Sequence, residues 1–416
     1  MNQHRVAPEA TRAGDLRGLG RLAVDGITGA TDLVEAVHAV VLHPSVLIGQ
    51  QAPVTTRGLT RLVYRSVRGI TRTVGNGVDL SLSALAPVLG EGGPSAQREA
   101  LVAALNGVLG DHLHATGNPL AVRMQLRHDG IALPLTRTQL STRLPQVSGR
   151  LLVQVHGLCM NDLQWNHAGH DHGAALARDF GYTRVHLHYN TGRHVPENGR
   201  EFAALLTRLL KAWPVPVEEI TLLCHSMGGL VARSALDAGF RKRMAWTRVP
   251  LRIVFLGTPH HGAPLERAGS WADLLVGISP YSAPFVRLGR MRSVGIRDLR
   301  HGNVRDSDSQ HGKGRGDTRK PLPLPDGVYA CAIAATTQAS RDDRTALCGD
   351  GLVPIASALG THPDPAFDLR IPPSRQWIGH GLNHLQLLGS DAVYRRIADW
   401  LGDERSPRGA MRDPRG

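Results

Sequence analysis

The chain has 416 residues, of which 42% are hydrophobic and 20% charged, so it can bury a sizeable core and global disorder is excluded. Its net charge of +13 is compatible with an anionic membrane surface, with nucleic acid, or with an arginine-rich surface that binds neither. Aromatic residues make up only 4% and no recognition motif for nucleic acid occurs, so we expect no nucleic-acid partner.

We expect the beginning of the chain to carry no signal for export or membrane insertion. Residues 1–18 are polar, without an apolar segment after a basic one. No later stretch approaches the roughly 18 uncharged apolar residues that a membrane span needs. The four cysteines do not form a disulfide framework, although a bridge between Cys331 and Cys348 is left open. These features predict a cytoplasmic protein, either free or peripheral to a membrane.

Residues 1–148 are predicted to form a mainly helical region of their own. At helical spacing, residues 56–74 place six apolar side chains on one face and five arginines on the other. The apolar face comprises Leu59, Leu62, Val63, Val67, Ile70 and Val74, and the arginines are Arg57, Arg61, Arg65, Arg68 and Arg72. Such a helix either docks on the rest of the protein, which we favour, or lies on an anionic lipid surface. A second helix, at residues 95–109, is predicted to be ordinary packing.

Residues 149–403 are predicted to form an α/β domain with a mostly parallel sheet. Short apolar runs predict strands at residues 151–156, 184–189, 220–224, 251–256 and 328–334. Helical patterns lie between and after them, at residues 173–180, 199–213, 230–238 and 391–401. Strands that are apolar throughout and alternate with helices indicate a parallel sheet covered on both faces. We expect a lid or insertion around residues 263–325 and a disordered tail at residues 404–416.

A serine stands at a tight turn between one of these strands and the next helix. The sequence His225-Ser226-Met227-Gly228-Gly229 follows the strand at residues 220–224 and precedes the helix at residues 230–238. This layout holds the Ser226 hydroxyl at the carboxyl edge of the sheet, beside N–H groups of a helix N-terminus. The pattern predicts that Ser226 is a nucleophile.

A nucleophilic serine needs a base and a carboxylate that orients the base, here in the chain order Ser, Asp, His. Asp350 lies on a glycine-flanked turn after the strand at residues 328–334 and is the best carboxylate candidate. His384 precedes the last helix and is the best base, with His380 as the alternative. The competing carboxylates are Asp342, Asp343, Asp364 and Asp368.

An oxyanion formed during acyl transfer needs two N–H donors. The sequence predicts Met227, directly after the serine, and Leu158, in the turn after the strand at residues 151–156. Five further residues are predicted to bind substrate or shape its site. They are His156 and Gly157 in the oxyanion turn, His225 before the serine, and Arg193 and His194 after the strand at residues 184–189.

A histidine-rich stretch raises the question of a metal. His167, His170, Asp171 and His172 occur close together, with His186 and His188 on the following strand. Imidazole and carboxylate groups are competent zinc ligands, but the spacing matches no dinuclear pattern. We therefore favour polar loop lining or capping of a helix by Asp171, and we predict no metal and no cofactor.

Five motifs in order resemble the lipase and esterase branch of the α/β-hydrolases. They are His156-Gly157, the elbow Cys224-His225-Ser226-Met227-Gly228-Gly229, Gly257-Thr258-Pro259-His260-His261-Gly262, Asp350 and His384. Within that branch, the chain looks most similar to bacterial triacylglycerol lipases and GPI inositol-deacylase-like hydrolases, over about residues 150–401. Two positions depart from the pattern. Cys224 replaces the first glycine of the elbow, and Leu385 stands where some of those lipases hold calcium with an aspartate.

The resemblance implies an α/β-hydrolase fold and a serine hydrolase that cleaves carboxylic esters, lipidic ones above all, through an acyl-enzyme. A thioesterase or an acyltransferase would use the same residues. The alternative from another class is a membrane- or lipid-associated protein that binds without catalysing, with an anionic surface contacted through the N-terminal region.

Overall fold

The computed structural model describes residues 96–144, 146–263, 293–309, 319–338 and 349–402, together with Gly18 and Arg21. The predicted basic helix at residues 56–74, Cys348, Asp342, Asp343 and the tail at residues 404–416 lie outside the described residues, as does much of the predicted lid. Two compact units are distinguished, one of which comprises residues 96–114 and 122–416. The sheet and the candidate site belong to this unit.

Eight strands form one sheet in the order β2-β1-β4-β3-β5-β6-β7-β8. The strands are β1 (Gln125–His128), β2 (Ile131–Ala132), β3 (Arg150–Val155), β4 (Thr183–His188), β5 (Glu219–His225), β6 (Leu251–Leu256), β7 (Val328–Thr336) and β8 (Gln376–His380). Strands β3 to β8 are parallel, whereas β1 runs antiparallel to both β4 and β2. The predicted α/β architecture is confirmed.

The central strands are buried on both faces, as their unbroken apolar sequences predict. Every residue of β5 and β6 is buried, and so are five of the six residues of β3. On one face, Leu152, Leu223 and Val254 of adjacent strands belong to a single cluster of buried side chains. Residues spaced by two along a strand share a face, so the helices that cover this sheet can pack on both sides.

The described helices surround the sheet. They are α1 (Ala96–Ala115), α2 (Arg137–Arg143), α3 (His172–Phe180), α4 (Val195–Ala212), α5 (Met227–Arg241), α6 (Val294–His301), α7 (Ile355–Leu359) and α8 (Asp391–Gly402). Helices α3 and α8 contribute Leu176 and Trp400 to the cluster named above, while α4 and α5 pack against each other. Among the described helices, none combines the length and the apolar character that crossing a membrane requires.

The sheet starts earlier in the chain than the predicted boundary at residues 148/149. Leu126 of β1 pairs with Leu187 of β4, and β2 extends the sheet by one more strand. Helix α1 is tied to the same edge, because Arg127 of β1 forms an ion pair of 2.7 Å with Glu99. These strands are short and mixed in polarity, so the sequence gives no periodic signal for them. The α/β unit therefore includes residues that were predicted to belong to a separate helical region.

Candidate active site

Ser226 occupies the turn between β5 and α5 in a strained backbone conformation. Its φ and ψ angles are 54° and −126°, in a region that residues with a Cβ rarely adopt. Two hydrogen bonds hold it there. The Ser226 N–H donates to the Leu256 carbonyl at 2.8 Å, and the Gly229 N–H donates to the Ser226 carbonyl at 3.0 Å. The predicted sharp turn between strand and helix is therefore present.

Asp350 and His384 form a buried pair beside this turn. The His384 Nδ1–H donates to Asp350 Oδ2 at 2.6 Å, and the two side chains are 4% and 0% exposed. The other carboxylate oxygen, Oδ1, accepts the N–H groups of Leu352 at 3.0 Å and Val353 at 2.9 Å. The His384 N–H also donates to the Asp350 carbonyl at 3.1 Å. Because Nδ1 is committed to the carboxylate, Nε2 is the ring nitrogen that can accept a proton.

The competing candidates lie elsewhere. His380 is the last residue of β8 and is exposed. Asp364 accepts the N–H of Ala366, and Asp368 accepts the N–H of Arg370, so both carboxylates serve their own turns.

Ser226 and His384 line the same small pocket. The other described residues around it are all apolar: Pro259, Ala263, Leu299, Leu352 and Val353. An apolar lining excludes water and favours a hydrocarbon group next to the serine. The arrangement places apolar side chains and the imidazole of His384 in the wall of the pocket that Ser226 lines.

Two backbone N–H groups next to Ser226 are free to bind an anion. Met227 is the first residue of α5, so its N–H has no partner within the helix. Gly157 precedes Leu158, and a Cβ on Gly157 would lie 3.0 Å from the Ser226 Cβ. In the part of the chain that the structure describes, neither Leu158 nor Met227 donates its N–H in a hydrogen bond. The turn and the helix thus bring the two predicted donors to the same edge of the sheet.

The two predicted histidines at this edge hold backbone segments and are not among the described residues that line the pocket. His156 is fully buried, donates from Nδ1 to the Gly157 carbonyl at 2.9 Å and stacks on Tyr189 at 4.5 Å between ring centroids. Burial lowers the pKa of His156 to about 3. His225 donates from Nε2 to the His384 carbonyl at 3.1 Å, and burial holds its pKa well below the usual value. Their contacts position Gly157 and His384.

Arg193 and His194 also lie away from the described lining of the pocket. Arg193 forms ion pairs with Glu201 at 2.7 Å and Glu197 at 3.4 Å, both on α4. His194 donates from Nδ1 to Asp298 Oδ2 at 2.9 Å, and this hydrogen bond raises its pKa against the opposing effect of partial burial. Both residues follow a strand, as predicted, but the sequence does not indicate that their acidic partners lie on α4 and α6.

The histidine-rich stretch supports the segment that carries His384. Asp171 caps α3 by accepting the N–H groups of Gly173 and Ala174, as predicted. His172 donates from Nε2 to the Leu387 carbonyl at 2.8 Å, and His170 lies 2.9 Å from its Nδ1. Within the described ranges, no three His, Cys, Asp or Glu side chains are grouped so that they could hold a metal ion.

Gly257 is a site residue that was noticed in the sequence only as part of a shared motif. It has a φ of 58°, and a Cβ there would lie 3.0 Å from Cε1 and 3.1 Å from Nδ1 of His384. A side chain at this position would displace the imidazole. No local sequence pattern indicates this contact, since the two residues are far apart in the chain.

Comparisons with known proteins agree with this architecture. Residues 146–314 match the family model described as a PGAP1-like alpha/beta domain. No curated protein sequence matches the chain. Similar solved structures include the lipase BlEst2 of Bacillus licheniformis in its mature form, at 18% identity and a TM-score of 0.39, covering 61% of this chain and 91% of that one. Another is the Pyrococcus furiosus esterase Pf2001, at 14% identity and a TM-score of 0.35, covering 61% and 81%.

Proposed function

We propose that this chain, whose residues 146–314 match a PGAP1-like alpha/beta domain, is a serine hydrolase that cleaves carboxylic esters with an apolar acyl group. The observation that carries the proposal is the buried Asp350–His384 pair, whose histidine lines the same pocket as Ser226. A serine hydroxyl is a weak nucleophile at neutral pH and becomes reactive beside an oriented base.

In the first half of the reaction, His384 Nε2 takes the proton of the Ser226 hydroxyl as its oxygen attacks the acyl carbonyl. Asp350 stabilises the imidazolium that forms, since its Oδ2 accepts from Nδ1 at 2.6 Å. The N–H groups of Leu158 and Met227 donate to the tetrahedral oxyanion. His384 then gives its proton to the departing alcohol, and an acyl ester of Ser226 remains.

In the second half, a water molecule gives a proton to His384 Nε2 and attacks the acyl-enzyme. The same two N–H groups stabilise the second oxyanion, and the collapse of this intermediate releases the carboxylic acid. His384 returns the proton to the Ser226 oxygen. No metal or cofactor is needed for these steps, because the residues named supply the base, the acid and the anion site.

The class of substrate is inferred from the pocket wall. Pro259, Leu299 and Val353 offer hydrocarbon surface to whatever is bound at Ser226. Burying each methylene of an acyl chain against such a wall is worth about 0.8 kcal/mol. We therefore propose lipidic esters as the substrates and expect kcat/KM to rise with acyl chain length before it levels off.

Ester hydrolysis by the wild-type protein and by Ser226→Ala tests the proposal. Esters of increasing acyl length are assayed together with a thioester of matched acyl group, and a fluorophosphonate probe reports on serine reactivity. The control is Ser234→Ala, which removes a buried hydroxyl from the same helix at a residue outside the described pocket lining.

We expect Ser226→Ala to lose at least about a thousandfold in kcat and to escape labelling, while Ser234→Ala stays within about twofold of wild type. An active, labelled Ser226→Ala protein would refute the mechanism. A thioester cleaved much faster than every ester would assign the leaving group to the thiol class.

A further inference from the structure

Helix α1 touches the turn that carries Leu158 at Gly107, which has no side chain to hold the helix backbone away from Cys159. A Cβ on Gly107 would lie 2.1 Å from Cys159 Sγ and 3.1 Å from Cys159 Cα. The Cys159 thiol also donates to the Ala104 carbonyl, one turn earlier on the helix, at 3.8 Å. The backbone of α1 therefore lies directly against the residue that follows the predicted oxyanion donor.

Cys159 is held from the other side as well. Its N–H donates to Thr191 Oγ1 at 3.2 Å, and its φ of 58° is one that residues with a side chain rarely adopt. Burial raises the pKa of its thiol far above the usual value, so the group stays protonated and packs as a small apolar side chain. The turn is thus packed between α1 on one side and Thr191, in the loop after β4, on the other.

The helix is itself anchored next to this contact. Ser293 donates its hydroxyl to the Gly107 carbonyl at 2.7 Å, and Asn190 donates from Nδ2 to the Gly110 carbonyl at 2.9 Å. Ser293 is the N-cap residue of α6, which contributes Leu299 to the pocket. A helix fixed at these points cannot move away from Cys159 without disturbing its other partners.

We propose that the contact between Gly107 and Cys159 sets the position of the Leu158 N–H, so that Gly107 is a positioning residue for the oxyanion site. This inference rests on the proposed hydrolase function. An added methyl group at Gly107 forces Cys159 to shift, and one peptide bond transmits the shift to Leu158. Hydrogen bonds weaken steeply with misalignment, and losing one oxyanion donor lowers kcat by about a hundredfold to a thousandfold.

The test compares Gly107→Ala with Gly239→Ala in the full-length protein. Both variants add one methyl group at a buried helical glycine, but Gly239 lies near the end of α5, where the methyl meets the ring of Trp246. We expect kcat of Gly107→Ala to fall at least about tenfold with KM within about twofold of wild type. Gly239→Ala should keep kcat within about threefold of wild type.

Rescue distinguishes positioning from a general loss of structure. Cys159→Gly removes the colliding sulfur and suits the positive φ, so the double variant Gly107→Ala/Cys159→Gly should recover kcat to within about threefold of the Cys159→Gly single variant. If Gly107→Ala does not fold, Thr191→Val is measured instead, because it removes the acceptor of the Cys159 N–H while keeping the shape. Its kcat should fall with KM unchanged.

An unchanged kcat in the folded Gly107→Ala protein overturns the inference. Equal losses in Gly107→Ala and Gly239→Ala, or a double variant that gains nothing, do the same. A Thr191→Val protein with wild-type kcat also overturns the inference. If the wild-type protein and Ser226→Ala are equally inactive, the proposed function itself fails. An active wild type with an insensitive Gly107 leaves that function standing and removes only the positioning role.

Discussion

Replacing Asp350 by asparagine changes the protonation of His384 without changing the size of the side chain. Asp350 Oδ1 faces two N–H donors, from Leu352 and Val353. An asparagine must place its carbonyl oxygen there, so its NH2 group faces His384 Nδ1. The ring then accepts at Nδ1 and carries its hydrogen on Nε2, where it can no longer take the proton of Ser226.

The size of the effect follows from the same contacts. Turning the amide over would leave two buried N–H donors without an acceptor, at about 1–3 kcal/mol each, so the productive tautomer is a minor species. Triads held in the wrong tautomer lose about 10⁴ in kcat. At 1.36 kcal/mol per factor of ten, this equals about 5.4 kcal/mol of transition-state stabilisation. We expect Asp350→Asn to lose about three to four orders of magnitude in kcat.

The assay is kcat on the best ester, with thermal unfolding to verify that both variants fold. Asp298→Asn is the control, because it makes the same change at a second Asp–His pair, in which Asp298 is buried and His194 partly exposed. We expect this control to stay within about tenfold of wild-type kcat. More than about a tenth of wild-type activity in Asp350→Asn, or an equal loss in Asp298→Asn, would refute the reasoning.

Gly257→Ala should lower kcat at least about tenfold, because its methyl group meets the His384 ring. It should also lower the free energy of unfolding by about 1–2 kcal/mol, because alanine is strained at the positive φ of this residue. Wild-type kinetics would contradict this prediction. Burial lowers the pKa of His172 from 6.5 to about 4 in the folded protein, so below pH 7 this residue is protonated more in the unfolded chain than in the folded one. Between about pH 7 and pH 5, His172 should therefore remove about 1–2 kcal/mol of stability, and urea unfolding of His172→Gln should show a shallower loss. Asp298 raises the pKa of His194 in the folded protein above the ordinary histidine pKa of 6.5. The stability that this pair contributes is therefore complete below pH 6.5 and is lost as pH rises through the raised pKa of the folded state. Urea unfolding of His194→Gln should show a deficit against wild type that shrinks at higher pH, and a deficit that grows would contradict the assignment.

The parts of the fold that sequence analysis predicted are those with local signals. Strands β3, β5 and β6 are buried on both faces and have continuous apolar runs that end at turn residues. The strained turn at Ser226 is equally local, since its strand, small residues and helix are consecutive. Asp350 was predicted by chain order and by its glycine-flanked turn, and the structure pairs it with His384.

The parts that escaped prediction depend on contacts between distant residues. Strand β1 has four residues and one fully buried side chain, so only its pairing with β4 makes it a strand. The directions of Arg193 and His194 are set by acidic partners on α4 and α6. Gly107 lies in a helix that was predicted to be ordinary packing, and its close contact with Cys159 depends on the fold of the chain.

The position of β1 beside β4 decides how the chain can be shortened. A fragment that starts at residue 149, the predicted domain boundary, would lack α1, β1 and β2 and would leave the hydrogen-bonding edge of β4 uncovered. Unpaired edges of this kind promote association between chains. The same cut would expose the buried Cys159 to solvent and to oxidants. Fragments intended for crystallisation or assay therefore need to begin before residue 96.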